Sequence, residues 1–235
     1  MALIPDNKLF IVTSALNATL GVITPEERLE QTIQGLKTLR ESVPEAIVLF
    51  ADGSPKKVEQ EKIQAISDFV DFVADFSTDE VISGFAQRHM KSEAENALML
   101  KTLMLIKQEP SMMRVMHSVN RIFKLSARTD LLSGFNQYEH EHWGKYVFKK
   151  RIPTWIQGER AEFFTDLFIT RMFSFCPSLI DDYMVMCRRN LGVIQDAGVD
   201  TEHAHFFNVN TDLLVELDDI HCQGIVATTN TLEVY

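Results

Sequence analysis

The feature that most constrains this chain is the alternation, over residues 8–136, of short apolar β-rich runs with longer segments of helical period. Lys8 to Leu16 carries Leu-Phe-Ile-Val and leaves through the polar Thr13, Ser14 and Asn17, as a buried strand with a polar exit does. Thr24-Pro25-Glu26-Glu27 then combines an N-cap threonine, a proline at the first helical position and a glutamate three after the cap. Leu29, Ile33 and Leu36 recur at helical spacing, so a helix is expected to about Ser42. Ala46 to Phe50 is a second strand, ending in Ala51-Asp52-Gly53-Ser54-Pro55. Lys56 to Ser67 reads as a surface helix, and Phe69 to Phe76 as an edge or third strand. Ser83 to Gln108, rich in Ala, Leu, Met, Glu and Lys, reads as one long helix. A strand–helix order repeated this way predicts an α/β fold with a mostly parallel central sheet flanked by helices. Ligands of such sheets collect outside the carboxyl ends of the strands.

The alternation leads to Arg121–Asn136, where Ile122, Phe123 and Leu125 suit a buried strand. The run turns polar at Ser126, Arg128, Thr129 and Asp130 before a Ser-Gly turn. Arg128 and Asp130 are therefore expected at the crevice. Arg is a fixed cation suited to phosphate or carboxylate, and Asp is a hard oxygen ligand for Mg2+ or Mn2+. The bland alternative is a buried strand that ends in a surface Arg-Asp pair.

In this stretch the chain resembles the GT-A-fold nucleotide-sugar glycosyltransferases, which carry an Asp-x-Asp motif at the end of a mid-chain strand. Arg128-Thr129-Asp130 matches, with Lys124-Leu125-Ser126 leading in, and the first acid of the pair is absent. The resemblance implies a GT-A-like (Rossmann-like) domain over residues 1–235. Its nucleotide-binding half would be about 1–136 and its acceptor-side half about 137–235, with a small C-terminal helical and β-ribbon extension. It further implies Asp130 as a ligand of Mn2+ or Mg2+ and Arg128 as a diphosphate contact. Thr13, Ser14 and Asp52 are implied at the base and ribose, and Lys91, Glu95 or Asn96 on the helix before the metal strand. Asp52-Gly53 alone is equally a turn signal, and Lys91 with Glu95 a surface ion pair.

Later in the chain, Tyr138 to Trp155 reads as a hairpin or ribbon in which Trp143 and Trp155 are candidates to stack on a sugar or to pack in the core. Ala161 to Phe175 reads as an apolar helix ending at Cys176-Pro177, followed by a second helix from about Ser178 to Gly192. Asp196 to His205 gathers three carboxylates and two imidazoles in ten residues. There the resemblance implies Asp200 or Glu202 as the base that deprotonates an acceptor hydroxyl, and His203, His205 or His221 as a further metal ligand. A helix N-terminus capped by Asp200 or Thr201 is the alternative. The tail from Leu217 to Tyr235 holds short β-like runs.

The rest of the sequence sets limits. The formal net charge of −10 argues against non-specific nucleic-acid binding and against an anionic membrane surface. Neither glycine-rich phosphate motif, Gly-x-Gly-x-x-Gly nor Gly-x-x-x-x-Gly-Lys-Ser/Thr, follows a strand. The three cysteines, Cys176, Cys187 and Cys222, are widely spaced, which suggests reduced thiols and a cytoplasmic protein. No apolar run has the length of a transmembrane span. The expected activity is metal-assisted, inverting transfer of a glucose- or galactose-type sugar from a UDP-sugar donor to a glycan or other hydroxyl acceptor. A non-catalytic α/β binding or assembly protein and a metal-dependent nucleotide-sugar hydrolase are the alternatives.

Overall fold

The computed structural model describes residues 7–18, 21–226 and 231–235. Strands β1 (Asn7–Ser14), β2 (Ile47–Asp52) and β3 (Phe72–Asp75) alternate with helices α1 (Pro25–Ser42) and α2 (Gln60–Ile66). Helices α3 (Glu80–Gln87), α4 (Lys91–Gln108) and α5 (Pro110–Ser118) lead into β4 (Val119–Ser126) and the short β5 (Thr129–Leu131). The second half holds β6 (Tyr146–Lys149), β7 (Ile152–Pro153), β8 (Asp166–Leu167), β9 (Met172–Phe175), α6 (Ile180–Ala197) and α7 (Thr201–Asn208). It closes with β10 (Leu214–Leu217), β11 (Cys222–Val226) and β12 (Thr231–Val234).

Seven strands form one sheet in the order β10-β6-β9-β4-β1-β2-β3. β9 runs antiparallel to both its neighbours and the remaining pairings are parallel, so the expected mostly parallel α/β sheet is observed. Alternating side chains of β1 feed the two faces. Phe10 and Val12 pack with Leu36 and Leu39 of α1, whereas Leu9 and Ile11 pack with Met99, Leu103 and Ile106 of α4. Each such side chain, fully buried, contributes about 2 kcal/mol of hydrophobic stabilisation. β5, β11 and β12 make a separate three-stranded sheet beside the exit of β4.

The N-terminus of α1 is built as its sequence dictates. Glu27 N donates to Thr24 Oγ1 at 3.2 Å and Thr24 N donates to Glu27 Oε2 at 2.8 Å, with Pro25 opening the helix. Near its middle, Gly35 lets the helix approach the segment after β4 so closely that an added Cβ would lie 2.6 Å from Ala127 O.

Three expected elements differ. The long helix of residues 83–108 is broken: His89 adopts φ 61° and Met90 N reaches back to Phe85 O at 3.0 Å, a left-handed cap made without glycine. α4 therefore starts afresh at Lys91. Residues 161–175 are not a helix but carry β8 and the central antiparallel strand β9, because a continuous apolar run fits a doubly buried strand as well as a buried helix. Residues 138–155 do not form a hairpin: β6 joins the main sheet beside β10, and β7 pairs with β8.

Candidate active site

A cavity of about 910 Å³ opens at the carboxyl ends of β1, β2 and β4, in the size range of a small-ligand site. Thr13 and Ser14 line it from the exit of β1, Gly53 and Pro55 from β2, and Ser126 and Arg128 from β4. Arg28 and Thr32 enter from α1, Lys91 and Glu95 from α4, Asp200 and Glu202 from the start of α7, and Thr170 and Arg171 from the segment before β9.

The walls carry opposite charge in separate places. On the acidic side, Lys124 is almost wholly buried and its Nζ donates to Glu95 Oε1 at 2.6 Å, to Ser126 Oγ at 2.9 Å and to Thr170 O at 2.7 Å. Burial pushes the Glu95 carboxyl up, but the charges of Lys124 and Lys91 outweigh it and hold Glu95 below the usual carboxylate range. Glu202 accepts from Thr170 Oγ1 at 3.0 Å. Burial, reinforced by the negative charge of Glu95, raises its carboxyl above the usual range. A carboxylate raised in this way is a better proton acceptor near neutrality than a solvated one.

Asp200 caps α7, accepting from His203 N at 3.1 Å, and its Oδ1 lies 2.5 Å from His203 Nδ1. His203 Nε2 is 2.7 Å from Thr154 Oγ1, so both ring nitrogens are engaged and the imidazole sits buried beneath the edge of Trp155. Asp200 thus orients rather than stands free, whereas Glu202 presents the more available carboxylate.

On the basic side, Arg28, Arg128 and Arg171 converge. Burial lowers the Arg128 guanidinium to about 10, with the charges of Arg28 and Arg171 adding to the effect. Arg128 Nη1 donates to Gln31 Oε1 at 3.4 Å and to Ile225 O at 3.3 Å. Arg171 Nε donates to the Tyr235 hydroxyl at 2.9 Å, and its guanidinium lies 5.5 Å from the centre of the Tyr235 ring. Gly224 of β11 makes room for it, since a Cβ there would lie 2.6 Å from Arg171 Nη1.

The other expected site residues are dispersed. Asp52 is fully buried behind the wall, where Oδ2 accepts from Leu16 N at 2.9 Å and Oδ1 from Ser54 N at 2.8 Å. It braces the exits of β1 and β2 instead of facing the cavity. Asp130 lies on β5 opposite Gln223, whose amide donates to it at 3.4 Å, and does not line the cavity. Arg128 does, because it sits in the turn between β4 and β5, ahead of the strand that carries Asp130. His205 is buried between Thr201 O, at 2.8 Å, and Tyr183 OH, at 3.2 Å, and burial pushes its imidazole down to about 4. His221 stacks over Gly134 with its ring nitrogen 3.5 Å from Asp219. Trp155 lines the cavity, but Trp143 is 78% exposed and precedes β6, at the opposite end of the sheet.

A divalent ion of the kind the resemblance implies is held by one or two carboxylates together with the phosphates of its nucleotide. Among the described residues no three His, Cys, Asp or Glu side chains cluster, and Asp130, His203, His205 and His221 are not brought together. Glu95, Asp200 and Glu202 do line the cavity but are engaged by Lys124, His203 and Thr170, so the expected ligand set does not fit an Mn2+ or Mg2+ centre.

Sequence reasoning missed Arg28, Arg171 and Lys124. Arg171 was visible as the one charge in the apolar run from Leu167 to Phe175, and Lys124 as one of two cations, with Arg121, inside a buried strand. A charge within such a run has to reach a partner or a cavity.

No protein-family model and no curated protein sequence matches the chain. Among solved structures, it is similar to core-mannan synthase A from Aspergillus fumigatus, in its Mn/GDP form, at 8% identity and TM-score 0.49, over 92% of this chain and 74% of that one. It is similar to mouse xyloside xylosyltransferase 1 at 8% identity and TM-score 0.46, over 90% and 84%. It is similar also to a glycosyltransferase involved in glycosylation of the major capsid of PBCV-1, at 8% identity and TM-score 0.44, over 89% and 81%. At these values the functional reading rests on the cavity itself. No described helix is long and apolar enough to cross a membrane.

Proposed function

We propose that the cavity binds a nucleoside diphosphate sugar and transfers its sugar to a hydroxyl acceptor, as a single GT-A-like domain. The observation that carries this reading is the electrical division of the wall. The charges that act on Arg128 are Arg28 and Arg171, whereas those that act on Glu202 are Glu95, Lys91 and Asp200. A sugar-transfer transition state needs both kinds of wall. Negative charge builds on the departing diphosphate as the bond from C1 to its oxygen breaks, and a proton leaves the acceptor hydroxyl as its oxygen bonds to C1.

Arg128 and its neighbours take the diphosphate. Glu202 takes the proton, with Thr170 fixing its rotamer and Asp200 holding the start of α7. Thr13 and Ser14 lie where the base and ribose of the donor fit, Lys91 adds a cation at the acidic side, and Trp155 offers an exposed ring to a sugar. UDP-linked glucose or galactose is the first donor type to test. Inversion follows if Glu202 and the diphosphate flank C1 on opposite faces.

The test is donor turnover with product analysis across UDP- and GDP-sugars, comparing wild type with Glu202→Gln. The variant is expected to bind donor normally and to lose about 10²- to 10⁴-fold in kcat. Wild-type turnover by Glu202→Gln would remove the base assignment, and absence of binding to every nucleotide sugar would remove the transferase reading. A product that keeps the donor's anomeric configuration would end the inverting assignment.

A further inference from the structure

Resting on the donor reading above, we propose that this chain neutralises the leaving diphosphate with arginines in place of a metal ion, Arg128 and Arg171 being the residues that bind it.

Three observations converge. The first is that Asp130, the acid nearest the expected position, turns away from the cavity towards Gln223, while Glu95, Asp200 and Glu202, which line it, are already engaged by Lys124, His203 and Thr170. The second is the company the arginines keep. Among the described residues Arg128 and Arg171 bond only neutral oxygens, those of Gln31, Ile225 and Tyr235. Glu233, which also lines the cavity, accepts from the Tyr235 hydroxyl that Arg171 bonds. Holding the guanidinium groups of Arg128 and Arg171 in a half-buried cleft without a direct ion pair costs stability, and an anionic ligand recovers it. The third is space and shape. Gly35 and Gly224 each hold a backbone close enough for the cluster to form, at positions where a Cβ would come within 2.6 Å of Ala127 O and of Arg171 Nη1 respectively. Thr32 Oγ1, buried without a partner on the same wall, adds an unused donor.

The chemistry balances without a metal. The electron pair of the breaking C1–O bond passes to the β-phosphate oxygen, and guanidinium N–H groups donate to the phosphate oxygens in the paired geometry that suits them. A chain of net charge −10 thereby presents its anionic ligand with a local positive pocket.

The experiment measures the thermal stability of the full chain, and its affinity by calorimetry, with UDP, GDP, ADP, UMP and inorganic pyrophosphate, in EDTA and again in Mn2+. A bound ligand raises apparent stability in proportion to the logarithm of its concentration over Kd. The expected result is that at least one nucleoside diphosphate binds equally well in EDTA and in Mn2+, and at least tenfold more tightly than its monophosphate. Arg128→Gln and Arg171→Gln each weaken that binding at least tenfold while melting, without ligand, no lower than wild type. Arg128→Lys recovers part of the loss, and Asp130→Ala binds as wild type does. Binding seen only in Mn2+, or abolished by Asp130→Ala, overturns the proposal and leaves the transferase reading standing. Arginine variants that melt lower yet bind normally overturn it too, by showing the cluster to be structural. No binding of any nucleotide in either condition removes the donor reading and this proposal with it.

Discussion

Replacing Gly35 by alanine tests the closest approach in the fold, between α1 and the turn that carries Arg128. The added methyl would lie 2.6 Å from Ala127 O and 2.8 Å from Thr129 O, against the 3.4 Å at which ordinary contact begins. Both obstacles are backbone, so neither can swing aside as a side chain would, and the helix has to recede. Overpacking of this kind costs about 1–3 kcal/mol, and two backbone clashes put it near the top of that range. Alanine returns about 1 kcal/mol through its better helix propensity. The net loss is about 2 kcal/mol, which for a chain of this size lowers Tm by about 4–8 °C. Gly84 of α3 and Gly192 of α6 serve as controls, since nothing lies within 4 Å of a Cβ at either. Gly84→Ala and Gly192→Ala are expected to raise Tm by about 2–4 °C each. Thermal melts followed by circular dichroism, with urea titrations for the free energy, read all three. If Gly35→Ala melts at or above wild type, α1 does not lie against residues 127–129, and the placing of Arg128 beside Arg28 falls with it.

Two further outcomes are expected. Burial, with the charges of Arg121 and His142, pushes His140 down to about 3, below the value of about 6.5 it has when unfolded. The unfolded chain therefore binds the extra proton, and stability is lost as pH falls from about 6.5 towards about 3. At pH 5 this amounts to about 2 kcal/mol from His140, read as the difference in urea midpoint between pH 7.5 and pH 5 for wild type and for His140→Phe. Asp52 and Glu202, whose carboxyls are raised, act in the opposite sense in both proteins, so parallel profiles would refute the assignment to His140. The three cysteines are buried, and burial pushes the Cys187 and Cys222 thiols up to about 12. Ellman's reagent is expected to find no rapidly reacting thiol in the native protein and three in denaturant; a fast native thiol would contradict the packing around it.

The first half of the fold was legible because each of its elements is written locally. The capping box at Thr24 and Glu27, the polar exits of β1 and β2 and the short runs between them need no distant partner to be recognised. The same holds for Thr13, Ser14, Arg128 and Glu202, which line the cavity because they end or follow strands or open a helix at the sheet's carboxyl edge. The second half was harder. Met172–Phe175 is buried on both faces, and only the neighbouring β4 and β6 make it a strand. The break at His89 is also a tertiary effect, since a non-glycine residue holds a left-handed cap only where the surroundings require it.

The sequence by itself determined the layered α/β architecture, the edge of the sheet at which a ligand collects and the acidic character of the whole chain, because periodicity, capping and composition are local or additive properties. Only the tertiary structure decided which charges share a space. It turned Asp130 and His205 away from the cavity, made Asp52 a brace and Asp200 a cap, and gathered Arg28, Arg128 and Arg171 from positions far apart in the chain. That outcome depends on the direction of individual side chains at the ends of strands, where one residue of register sends a group to the opposite face.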